Sequence, residues 1–199
     1  MTNPEFETFL AAIESGDDES TENAVQALYH NGDGSLDRLL EMTSSSDDDV
    51  RWWAVRALSN AAEENQQQRT LVMPVLVQAL TDSDDSVRCL AALSLGQLHA
   101  TSAVPALMVL LADPSGWVRG AAADSLAMMG EAAVPALGSA LHDDREGVRV
   151  RAAYALHKIR SIAAARWLFP ALNDPNPVVH TYVYETLDDL GLLTTTLVQ

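Results

Sequence analysis

Five histidines, one cysteine and a large set of carboxylates are the side chains that could ligate a metal or move a proton. Their spacing argues that they do neither. His30, His99, His142, His157 and His180 fall at unrelated offsets within the repeat described below, so stacked repeats would not gather them into a ligand set. Cys89 is alone, which excludes an internal disulfide and a cysteine-based zinc site and fits a reducing cytosol. There is no glycine-rich phosphate loop, no GxSxG elbow and no HExxH pair, and nothing singles out a Ser/His/Asp set. The expectation is a non-enzyme with no catalytic residue, no cofactor and no metal.

One acid–base spacing does recur. Asp82 and Arg88, Asp113 and Arg119, and Asp143 and Arg149 stand six apart, with Asp174 and His180 as a variant. A set repeated this regularly reads as structural: the acid ends one element, the base opens the next, and stacking makes a ladder of charge-assisted hydrogen bonds between neighbouring repeats.

The elements that carry this ladder are two rows of similar segments. The first is VRxxAAxxL: Val87-Arg88 with Ala91-Ala92 and Leu95, Val118-Arg119 with Ala122-Ala123 and Leu126, and Val148-Arg149 with Ala152-Ala153 and Leu156, at steps of 31 and 30 residues. Val50, Val179 and a worn copy at Ser20 to Leu28 extend it to six. The second row reads Met73-Pro74-Val75-Leu76, Val104-Pro105-Ala106-Leu107, Val134-Pro135-Ala136-Leu137 and Ala165-Arg166-Trp167-Leu168. Apolar offsets of 0, 4 and 8 in the first row, and 0, 3 and 7 in the second, each make one narrow helical stripe. Neither helix can bury its stripe alone, whereas stacked pairs can, and the alanines permit close approach.

Polar clusters such as Thr81 to Asp85, Asp113 to Gly116 and Asn173 to Pro177 separate the helices, and proline at the second position of the second helix fixes its start. The step from Val50 to Val87 is longer, and the excess, Glu63 to Arg69, is expected to lengthen one inter-helix loop. The layout expected is one domain over 1–199: an N-terminal cap helix within 1–19, about five helix pairs over 20–174 and a terminal half repeat over 175–199. Residues 4–15 form a short amphipathic helix, and Leu192 to Gln199 is too short for a partner helix.

These segments resemble HEAT repeats, in particular the short HEAT-like type named after phycobilisome lyases, over roughly residues 20–190. The resemblance implies an all-α, right-handed αα-superhelix, or solenoid. Members of this type include bilin lyase subunits, deoxyhypusine hydroxylase, adaptors and scaffolds. The hydroxylase binds two irons through His-Glu pairs just after the Val-Arg. Here those positions read Trp52-Trp53, Cys89-Leu90, Gly120-Ala121, Val150-Arg151 and Thr181-Tyr182, and no His-Glu dipeptide occurs anywhere, which argues against that activity. HEAT-like DNA glycosylases use a basic groove, and the second helices here carry no cluster of bases.

The resemblance also implies that the second helices line a concave side. Positions off their leucine stripe read Val75 and Gln78, Ala106 and Val109, Ala136 and Ser139, and Trp167 and Pro170, with Arg166 breaking the proline pattern. These side chains either pack against adjacent repeats or form a groove for a peptide or protein partner. The candidate partner-binding residues are Val75, Gln78, Val109, Ser139, Arg166, Trp167 and Pro170, with Trp167 as anchor. The alternative role is a bilin lyase-like, chromophore-handling or assembly subunit. Trp52 is expected to be covered by the N-terminal cap.

Charge narrows the partner. The chain has 199 residues and a net charge of −16, and residues 1–49 hold 13 acids and one base, a net −12. That repels phosphate backbones and anionic lipid; binding either would need a concentrated basic patch, and none is visible, so no nucleic acid or membrane is expected and a basic or neutral partner is favoured. The longest apolar run, Ala103 to Ala112, is short and contains Pro105, and the N-terminus lacks a signal peptide, so a soluble, cytoplasmic protein is expected.

Overall fold

The computed structural model describes residues 4–30 and 35–193. The side chain of His30 and the tail beyond residue 193 lie outside the described residues. Among these there are twelve α-helices and no strand: α1 (Pro4–Ser15), α2 (Asp18–His30), α3 (Ser35–Met42), α4 (Asp48–Glu64), α5 (Gln66–Ala79), α6 (Asp85–Gln97), α7 (Val104–Leu110), α8 (Gly116–Met128), α9 (Val134–Ala140), α10 (Glu146–Ile159), α11 (Ala165–Ala171) and α12 (Pro177–Asp189). None is long and apolar enough to cross a membrane.

Within α6 the chain divides into two compact units, Met1–Ser94 and Leu95–Gln199. In the first, α1 packs on α2 and α4 packs on α3 and α5. Phe6 and Phe9 are buried edge to face, with ring centres 6.0 Å apart, and the Arg38 guanidinium lies 3.7 Å over the Phe6 ring. In the second, the long helices α8, α10 and α12 form one layer, with α10 between the other two, and the short α7, α9 and α11 form another. Val118, Leu126, Leu137, Leu156 and Leu168, all buried, fill the space between the layers.

The recurring aspartate owes its place to an Asx turn. The carboxylates of Asp82, Asp113, Asp143 and Asp174 each accept the backbone N–H two residues on, at 2.8–2.9 Å. The arginine six residues later closes the same turn by donating to the aspartate's backbone carbonyl, at 2.8 Å for Arg88, 2.7 Å for Arg119 and 2.9 Å for Arg149. The link to the next repeat uses the rest of the fork. Arg51 grips both oxygens of Asp82 at 2.8 Å, and Arg149 grips Asp174 at 2.7 and 3.4 Å. The six-residue pair therefore meets through the backbone, and carboxylate and guanidinium pair across a whole repeat. Asp143 is held by Arg145 instead; side-chain and backbone hydrogen bonds from Arg145 bring its carboxyl down to about 2.

The stretch Glu63 to Arg69 differs from the expected loop. It continues α4 to Glu64 and starts α5 at Gln66, with Asn65 alone between them. Glu, Gln and Arg are good helix formers. Asn65 ends one helix through its N–H to the Ala61 carbonyl and caps the next by accepting from Gln67 and Gln68. Pro74 consequently lies inside α5, whereas Pro105 and Pro135 stand in the first turn of α7 and α9. In the second unit the long helices end on left-handed residues at equivalent positions: His99, Gly130, Arg160 and Gly191. Glycine accepts this backbone freely. His99 and Arg160 are instead tied to the end of the following long helix, through the Met128 carbonyl at 2.9 Å and the Asp189 carboxylate at 3.2 Å.

Burial raises the carboxyls of Asp82 and Asp174, but hydrogen bonds from Arg51 and Arg149, with neighbouring backbone amides, outweigh it and leave both below the ordinary range. A depressed carboxyl contributes stability above its unfolded value, and loses it as pH falls through the folded one. Asp82→Asn and Asp174→Asn should each destabilise the fold by about 2 kcal/mol at neutral pH. Both should also flatten the acid branch of thermal melts recorded from about pH 7 down to about pH 2.5. An acid branch identical to wild type would remove these pairs as its source.

Candidate functional site

The expected partner-binding residues divide between the two units. In the first, half-buried Val75 and exposed Gln78 line a recess of about 220 Å³ with Thr43, Ser44, Val55 and Asp82. Gln78 donates to the Thr81 hydroxyl at 3.2 Å, so its amide is already engaged.

In the second unit, Val109 on α7 is 72% exposed, and Ser139 and Pro170 are exposed on α9 and α11. The Ser139 hydroxyl turns back to the Pro135 carbonyl at 3.1 Å. Trp167 is half-buried, because its indole lies directly on Gly138 of the preceding short helix; a Cβ at 138 would collide with three of its ring atoms. Its ring also carries the Arg166 guanidinium at 3.7 Å. Beside this stack opens a recess of about 400 Å³ lined by Glu131, Val134, Pro135, Ala163, Arg166 and Trp167. Trp167 and Arg166 thus come together in one place, with Pro135 among the other lining residues, while Val109, Ser139 and Pro170 do not line it.

The long-helix layer holds a second group that the repeated Asp–Arg spacing does not mark. Tyr154 on α10 donates its hydroxyl proton to Asp124 Oδ1 of α8 at 2.7 Å. Lys158, one turn further along α10, donates to the same oxygen at 3.1 Å and to the Tyr154 hydroxyl at 3.2 Å. The Tyr182 ring of α12 meets Tyr154 edge-on at 5.7 Å and His157 at 5.5 Å. His157 reaches the Thr186 hydroxyl at 3.2 Å and lies 4.0 Å from the Glu185 carboxylate. A signal for this group does exist. Six residues after the repeat valine the chain reads Arg56, Leu93, Asp124, Tyr154 and Glu185, a variable position beside a stripe that stays apolar.

The charges of this group suit holding rather than turnover. The Asp124 hydrogen bond, then burial, raises the Tyr154 phenol; bonds to Tyr154 and Asp124 raise the Lys158 ammonium. Near neutral pH the phenol keeps its proton and the amine its charge, so neither is poised as a base or nucleophile. Among the described residues, no three of His, Cys, Asp and Glu converge to hold a metal. Trp117, at the start of α8, is 83% exposed and belongs to neither group.

Comparison with known proteins agrees on the architecture. Residues 73–156 match the family model for HEAT repeats. No curated protein matches the chain. Among solved structures, the archaeal HEAT-like repeats protein from Thermococcus onnurineus NA1 superposes with a TM-score of 0.63 at 15% identity, over 98% of this chain and 85% of that one. The complex of CpcE and CpcF of phycocyanin lyase from Nostoc sp. PCC7120 gives 0.54 at 25% identity, over 80% of this chain and 66% of that one. A designed armadillo repeat protein in complex with the peptide (KR)4 gives 0.51 at 20% identity, over 92% and 98%. The fold class is the all-α solenoid of HEAT-like repeats, a frame typical of protein-interaction scaffolds.

Gly138→Ala should expel Trp167 from its shelf and cost about 1–3 kcal/mol by overpacking, with a changed near-ultraviolet tryptophan signal. Gly120→Ala, where an added Cβ meets nothing, should instead stabilise α8 by up to about 1 kcal/mol. Equal melting temperatures for the two variants would contradict the packing described.

Proposed function

We propose that this protein is a non-catalytic scaffold or adaptor that binds a segment of a partner protein in the recess beside Trp167. The observation that carries this reading is the aromatic wall: the Trp167 indole lies against Gly138 and carries the Arg166 guanidinium at 3.7 Å, so it is packed before any partner arrives. A rigid tryptophan at the edge of an apolar recess is the kind of pre-ordered anchor on which binding energy concentrates. Arg166 and Glu131 at the rim supply one cation and one anion for orientation. Val109, Ser139 and Pro170 extend the contact along the short helices, and Val75 with Gln78 offers a separate polar recess in the first unit.

A net charge of −16 favours a basic partner and its electrostatic steering. A structural neighbour designed on armadillo repeats is seen with a (KR)4 peptide, which supports the same direction. The test starts with proteins captured by the wild type from source-organism lysate. Ala163 is exposed at the recess rim, so Ala163→Trp fills the recess without touching the core. Binding of the captured partner should fall at least about tenfold at an unchanged melting temperature. Full binding by a folded Ala163→Trp protein would sink the assignment. Association should also slow as salt rises from about 50 to about 300 mM, and a flat dependence would remove the charge-steering part alone.

A second reading, a chromophore-handling or assembly subunit, draws on 25% identity to the phycocyanin lyase complex over 80% of this chain. Co-expression with a bilin supply and a phycocyanin acceptor tests it. A visible band on either protein would support it, and colourless products would discard it.

A further inference from the structure

We infer that the exposed face of α8, α10 and α12 is a seat for an arginine side chain of a basic partner segment, and that Lys158 occupies this seat when no partner is bound. The inference takes from the reading above only that the partner is a basic protein, and it places a second contact on the other helix layer of the second unit.

Lys158 is the only lysine in the chain, set among eleven arginines. Its ammonium lies 5.3 Å from the centre of the Tyr154 ring, within cation–π range, and bonds both Asp124 Oδ1 and the Tyr154 hydroxyl. Carboxylate, phenol oxygen and ring face therefore converge on one cation. The raised Lys158 value agrees with that, since the hydroxyl and the carboxylate favour its charged form.

The occupant is also easy to exchange. The Lys158 side chain is 50% exposed and that of Asp124 36%, and ion pairs this open contribute little because water competes for both charges. A lysine held this way also loses freedom along its four-carbon stem. Only Oδ1 of Asp124 is used: among the described residues nothing donates to Oδ2. A guanidinium would engage both oxygens in a fork while lying flat against a tyrosine, a geometry an ammonium cannot reproduce. Tyr182 packs edge-on against Tyr154 and buttresses that ring, and the exposed Glu185, three residues on along α12, is the acid for a following basic side chain.

The test is titration of a fluorescein-labelled octa-arginine peptide into the full chain at about 150 mM salt, where non-specific attraction is screened. Lys158→Met keeps the stem and removes the resident cation, and should tighten binding by about three- to tenfold. Asp124→Asn should weaken it by about tenfold. Asp144→Asn, the same charge change at an exposed residue of the α9–α10 turn, should leave it within about twofold of wild type. Melting curves confirm that each variant is folded. The inference falls if Lys158→Met binds no tighter than wild type, if the two Asn variants weaken binding equally, or if neither wild type nor Lys158→Met binds the peptide. Ala163→Trp separates the two readings: captured partner lost by that variant, with an unaltered Lys158→Met titration, leaves the recess standing and removes this seat.

Discussion

Close approach of helices at small residues is the constraint from which the rest of the structure follows. Ala122, Ala123, Ala152 and Ala153 are fully buried in the layer where α10 lies between its neighbours. Gly96 faces Ser125 so closely that a Cβ would come within 2.8 Å of that residue's Cα. A helix pair with such a surface gains little by itself, because alanine and glycine offer small area to bury. The gain comes when leucines above and below are brought into contact by the short separation. The Arg149 fork on Asp174 and the Arg51 fork on Asp82 then set the register of the turns, one repeat to the next.

Features repeated in every pair were legible in the sequence for that reason. Valine, paired small residues and leucine recur because each must meet the same surface, and the six-residue Asp–Arg spacing recurs because each turn is built alike. Features set by a single neighbour were not legible. Whether Glu63 to Arg69 makes a loop or two helix ends depends on one capping asparagine, Asn65. Whether Trp167 stands free depends on Gly138, twenty-nine residues earlier, which opens the shelf beneath it. The Asp124–Tyr154–Lys158 triangle joins two helices, and its members look unrelated until the helices are set side by side. Likewise, nothing local marks His99 and Arg160 as left-handed helix ends, since their tethers lie on the next long helix.

This division of labour bears on function. The buried positions are satisfied internally: no buried side-chain nitrogen or oxygen lacks a hydrogen-bond partner among the described residues. Individuality is left to positions off the stripe, where Trp167, Arg166, Tyr154, Lys158 and Tyr182 are partly exposed and paired with one another. Aromatic side chains stacked with cations are already ordered, so a contact made at them loses less entropy than one made by free side chains. A repeat fold built this way lets a few surface residues change while its repeats stay intact.

The arginine seat inferred for the long-helix layer requires that Lys158 give up its contacts with Asp124 and Tyr154 to a partner. The single lysine allows that to be observed directly, because isotope-labelled lysine places one reporter in the protein, on Lys158. Nuclear magnetic resonance of its side chain during addition of octa-arginine should show the signal moving from its ring-shielded position towards that of a free lysine, saturating at the concentration where binding saturates. A signal that stays in place while the peptide binds would contradict the inferred seat.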